Sequence, residues 1–233
     1  MSTIVHVGAL TASVVLVFLH PLIAREAIAL CCPHTRYSSL DTEEPRQSCA
    51  MFVYSWFYRF LAQAILIMLL IYDYDFQDSV FNGFFWFFAL SMLYAFLVAF
   101  SERFTAQSLG SSCVLFMALL WSANVRRGIQ AAALYWPIYG GVSLSAFCGF
   151  FIMYRFVRGV AKAIIAASAF SLAGAIALVS SFVYLTTDNS LYQHCQDDGL
   201  SCVYSTAAII TIAFLYGVFM ILSRNCTLYP IDS

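Results

Sequence analysis

Charge is what this chain has least of. Only 10% of its 233 residues are Asp, Glu, Lys or Arg, against about a quarter in an average soluble domain. No acidic residue falls inside any of the long apolar runs, which removes the midplane carboxylate that proton and cation pumps normally need. The formal net charge is −1, so no nucleic-acid partner is implied. The sequence also lacks His-x-x-x-His and His-Glu-x-x-His metal pairs, a Gly-x-Ser-x-Gly elbow and a phosphate-cradling glycine loop, which excludes the commonest metallopeptidase, hydrolase and nucleotide-binding chemistries. No 34- or 40-residue repeat and no inverted repeat emerges, which counts against the common transporter designs.

What is present is apolar surface. Hydrophobic residues make up 62% of the chain and aromatics 17%, leaving no room for a separate soluble domain beside the apolar runs. The expected fold class is all-α: a polytopic transmembrane helical bundle forming a single integral membrane domain over residues 1–233. Its clearest part lies between Gln130 and Thr186, where AAALYWPIYGGVSLSAFCGFFIMY and AIIAASAFSLAGAIALVSSFVYL flank a basic joint containing Arg155, Arg158 and Lys162. Each run is about the 20 residues a helix needs to cross a bilayer, so the pair reads as a membrane-spanning hairpin. Small residues recur at four-residue steps in both runs, at Gly141, Ser145 and Gly149 and at Ala169, Ala173, Ala177 and Ser181. Such spacing clears a groove along one helix face and lets backbones approach closely where lipid gives helices no hydrophobic reason to associate. These seven residues form the expected helix-packing seam.

Four further runs complete the bundle, about residues 3–24, 51–72, 80–100 and 203–222, with a fifth and shorter segment at 108–124 that is either a span or a re-entrant element. The first run has no charged region before it, which favours a retained helix with its N-terminus outside over a cleaved signal. Counting basic residues decides the fifth segment. With seven spans, Arg25, Arg36, Arg46, Arg103, Arg155, Arg158, Lys162 and Arg224 share one side and only Arg126 and Arg127 the other; with six the bias almost vanishes. The positive-inside rule therefore selects seven helices, N-terminus outside and C-terminus inside.

Few side chains suggest chemistry. Arg59 is the one ionisable residue deep within a run, and an ion pair with Glu102 or Glu44 is its expected resolution. Cys195 and Cys202 lie in an acidic loop expected to face outside, and a disulfide between them is the expected staple. His194 with those two cysteines lacks the fourth ligand of a closed zinc site, and Cys31-Cys32-Pro33-His34 with Cys49, a pattern open to metal binding or palmitoylation, is read first as unpaired buried thiols. Arg155, Arg158 and Lys162 sit in a joint rather than at regular steps across a span, which marks a topology signal and an anionic-lipid contact rather than a voltage sensor. Glu102-Arg103-Phe104 is similar to the acidic-Arg-aromatic triplet of heptahelical receptors, and that resemblance implies the same topology. The last run, however, has no Asn-Pro-x-x-Tyr pattern, and no lysine for a retinal link.

The expected function follows from this balance: a non-enzymatic membrane protein that acts as a helical-packing or accessory subunit of a larger assembly. An energy-transducing complex is one example, with the mitochondrial inner membrane a compatible compartment. Membrane lipids and other membrane-protein subunits are the expected partners, and no cofactor is implied. The alternative is a channel or small-solute transporter lined by Arg59, Gln63, Tyr139 and Ser143, and the third reading is the receptor.

Overall fold

A computed structural model describes residues 6–11, 49–73, 81–126 and 132–225. Among these residues the chain is helical apart from short connections, without a strand. The helices are α1 (residues 6–11), α2 (Cys49–Asp73), α3 (Phe81–Val98), α4 (Glu102–Arg126), α5 (Ala132–Phe156), α6 (Gly159–Thr187), α7 (Leu191–Asp197) and α8 (Gly199–Asn225). The run of the chain through 30-odd residues of α7 and α8 is set by local capping. Asp188 closes α6 in the left-handed conformation (φ 56°) with its N–H on the Tyr184 carbonyl, a geometry that Asp tolerates better than most residues. Ser190 and Gln193 then form a reciprocal capping box that starts α7. The Asp198 carboxylate accepts from the Leu200 N–H at 3.0 Å and the Ser201 hydroxyl at 2.7 Å, which starts α8.

The bundle is organised around α4. Helices α2, α3, α5, α6, α7 and α8 all pack on it, and α6 packs in addition on α8 and α2. The core between them holds Leu66 and Leu69 of α2, Leu109, Phe116 and Leu120 of α4, Ile176 of α6 and Ile209 of α8, all fully buried. The two long runs expected to form a hairpin do not pack substantially on each other: α5 and α6 are each seated on α4. Gly110 explains half of that arrangement. A Cβ added there would lie 2.3 Å from Phe150 Cε1, so the missing side chain is what lets α5 lay its aromatic ring directly on the α4 backbone.

The segment 108–124, too short by its apolar residues alone, is the middle of an unbroken 25-residue helix. Among the described residues, three helices are long and apolar enough to cross a membrane, over Phe104–Ala123, Ser168–Thr187 and Gly199–Val218. The first two windows are 61% buried and the third 28%, so α4 and α6 form the interior and α8 the rim. Shorter apolar stretches occupy Trp56–Ile71, Ala89–Val98 and Gly140–Phe156. The outer surface carries large apolar side chains, among them Leu144, Phe182, Phe214 and Leu215, while Thr105, Gln107, Ser108, Ser111 and Ser112 are buried on α4. This distribution suits a bundle with apolar surroundings and a polar-glued interior.

Candidate functional site

Polar groups tie α4 to each long neighbour, most of them from its own buried polar side chains. Gln63 Nε2 on α2 donates to Ser112 Oγ at 3.3 Å. Tyr94 on α3 shares a 2.7 Å hydrogen bond with Ser108, and the Thr105 hydroxyl lies 3.0 Å from the Val98 carbonyl at the end of the same helix. Gln107 Nε2 donates to the Phe151 carbonyl on α5. The Cys113 thiol reaches the Ala169 carbonyl on α6 at 3.7 Å, and the Cys202 thiol of α8 reaches the Leu120 carbonyl at 3.8 Å. Thr105, Ser108 and Ser112 share one face because they recur at three- and four-residue steps. Each interhelical bond of this kind contributes about 0.6 kcal/mol on average and at most about 1.7 kcal/mol in a membrane, so their number matters more than any one of them.

Not every buried polar atom is matched. Gln63 Oε1, Ser111 Oγ, Ser181 Oγ and Thr206 Oγ1 are buried without a hydrogen-bond partner. Ser181 and Thr206 belong to the α6–α8 pair. That pair runs antiparallel in a register shown by Gly217, whose added Cβ would lie 3.7 Å from Ser171 Oγ. Ser181 is ten residues along from Ser171 and Thr206 eleven back from Gly217, which brings the two hydroxyls to about the same level.

Arg59 lies on α2, half-buried, with Nη1 3.5 Å from the Ala99 carbonyl. That carbonyl follows the last residue of α3, where the helix dipole favours a cation. Trp56, Phe60, Phe96 and Phe100 pack together beside it, with Trp56 edge-on to Phe96 at a ring separation of 5.0 Å. The Glu102 carboxylate and Glu44 lie outside the described residues, so the expected ion pair does not enter this description.

The expected staple between Cys195 and Cys202 is not formed. Both are reduced and fully buried. The expected loop is instead occupied by α7 and the start of α8, separated at Asp198, whose backbone is extended (φ −134°, ψ 114°), and the Cys202 thiol turns to the Leu120 carbonyl.

The small residues of the two long runs have different surroundings. Ala169, Ala173, Ala177 and Ser181 are buried in the α6 core face. Gly141, Ser145 and Gly149 are exposed on α5, and a Cβ at Gly141 or Gly149 would meet nothing within 4 Å. They lie on the side of α5 opposite Ser143, Phe150 and Tyr154, the residues turned toward α4. Ser143 is buried and so is Gln63, but α4 stands between their helices; the Tyr139 side chain lies outside the described residues, as do Cys31, Cys32 and His34. Among the described residues no group of three or more His, Cys, Asp or Glu is placed to hold a metal ion.

Two features escaped the sequence reading. Gln107 falls in the joint and Ser108, Ser111 and Ser112 at the start of the 108–124 segment, and the sequence reading assigns none of them a role, although their helical spacing within an apolar surround is visible. His6, assigned no role, is buried with its ring edge-on to Tyr184 at 3.9 Å between centroids, which docks the N-terminal segment on α6. No protein-family profile, no curated protein and no solved structure matches this chain.

Proposed function

We propose that the chain is a seven-span integral membrane protein, N-terminus outside and C-terminus inside, that works without catalysis as a packing subunit of a larger membrane assembly. The observation that carries this reading is the outer face of α5. Gly141, Ser145 and Gly149 leave its backbone open over two turns, and among the described residues α4 is the only helix packed substantially on α5. A groove of that kind accepts a partner helix by van der Waals contact at close backbone approach. The ties radiating from α4 support the same reading, since they hold the rest of the bundle as a fixed platform for that face.

The test is native mass after gentle extraction from the source membrane, with co-purifying chains identified, for the natural chain and for Ser145→Leu. The expected result is a stoichiometric assembly that Ser145→Leu disperses while the chain itself stays folded. Unchanged assembly in the variant rejects the α5 face as the contact.

A second reading, passage of a small polar solute, is favoured by one observation: Gln63 is fully buried with its carbonyl oxygen unmatched. Solute-dependent flux in vesicles that is lost in Gln63→Leu would favour it over the packing role.

A further inference from the structure

The basic joint between α5 and α6 is not used by the packing role, and its surroundings define a ligand. Arg155 closes the last turn of α5 and Arg158 is the N-cap residue of α6; both side chains are exposed. No Asp or Glu occurs anywhere between Glu102 and Asp188, so neither helix of the joint supplies a counter-charge. No side chain caps the first turn of α6, which leaves its amide groups to add partial positive charge at the same point. Beside the two arginines, Ile152, Met153 and Phe156 are exposed, Phe156 at 76%. Cationic heads that meet a contiguous apolar surface match a molecule with a phosphate at one end and hydrocarbon at the other.

We infer that the α5–α6 joint binds an anionic phospholipid, its headgroup phosphate held by Arg155 and Arg158 and its acyl chain laid against Ile152, Met153 and Phe156. Arginine suits this role because its planar fork can engage phosphate oxygens in pairs. The site adjoins the end of the Gly141–Gly149 face, and the inference stands whether or not the packing role is correct.

The experiment is lipid retention by the purified full-length chain in detergent, read by native mass spectrometry after titration with phosphatidylglycerol, with phosphatidylcholine or with inorganic phosphate. Three forms are compared: the natural chain, Arg155→Gln/Arg158→Gln, and a charge-matched control, Arg126→Gln/Arg127→Gln. The expected result is preferential retention of phosphatidylglycerol by the natural chain and by the control, weakened roughly twenty-five-fold in Arg155→Gln/Arg158→Gln. That figure is the product of two factors of roughly five for basic residues at an anionic surface. Equal retention of the two lipids, equal loss in the two double variants, or full displacement by millimolar inorganic phosphate would overturn the inference. The first would show no headgroup preference, the second only diffuse charge, and the third a phosphate site indifferent to the hydrocarbon.

Discussion

Gly110→Ala should separate the contact that organises the bundle from the general effect of changing a glycine in a helix. At this position the new Cβ would stand 2.3 and 2.5 Å from two carbons of the Phe150 ring, whereas apolar carbons rest at about 3.5–4.0 Å. The ring must therefore move by more than 1 Å while held between α4 and α5, and overpacking of this kind costs about 1–3 kcal/mol. Alanine also brings a helix-propensity gain of about 1 kcal/mol over glycine, so the raw change alone would mislead. Gly141→Ala provides the correction, because its added Cβ meets nothing within 4 Å and only the propensity gain remains. The quantity predicted is the difference between the two variants, about 1–3 kcal/mol with Gly110→Ala the less stable, measured by reversible denaturation in mixed micelles. Phe150→Ala in the Gly110→Ala background should recover most of that difference, giving a coupling energy of about 1 kcal/mol or more. If Gly110→Ala is as mild as Gly141→Ala, and Phe150→Ala shows no coupling, the close approach of α5 to α4 is not what seats this helix.

Other perturbations test the interior in the same assay. Gln63→Leu paired with Ser112→Ala removes both partners of a buried bond together with the unmatched Gln63 oxygen; stability should stay within about 1 kcal/mol of the natural chain or rise, and a loss of 3 kcal/mol or more would mean the amide has further buried partners. Ser181→Leu places a large side chain at a fully buried position and should destabilise the chain by about 1–3 kcal/mol, while Ser145→Leu on the open face should change its own stability by less than about 0.5 kcal/mol. Cys195 and Cys202, both reduced and buried, should resist alkylation in the folded protein and react fully in denaturant without reductant; a requirement for reductant would show that they are bonded after all.

The interior of this bundle reverses the arrangement of a soluble domain in a physically consistent way. Where the surroundings are apolar, burying a leucine gains little, and helices are held by close packing and by hydrogen bonds that have no water to compete with them. Gly110 and Ala173 serve the first requirement, and Gln63, Tyr94, Thr105, Gln107 and Ser108 the second. The exposed Leu, Phe and Val side chains of α5, α6 and α8 then need no other explanation.

Helical class and apolar character were determined by the sequence alone, because run length and the scarcity of charge are local, additive properties. The small-residue periodicity of α5 and α6 was equally legible, since spacing along a helix sets which residues share a face. Which face meets which neighbour was not. The same four-residue pattern is buried on α6 and open on α5, because α4, written as a polar joint and a short apolar segment, takes the centre of the bundle and accepts Phe150 over Gly110. The polar residues of α4 have no visible partners along the chain until α2, α3 and α5 supply them. The Cys195–Cys202 pair looks like a staple until α7 and α8 take the place of the loop and the Cys202 thiol turns to the Leu120 carbonyl. Periodicity speaks for one helix at a time, and the identity of its partner is a property of shape between segments far apart in the chain, which only the tertiary structure decides.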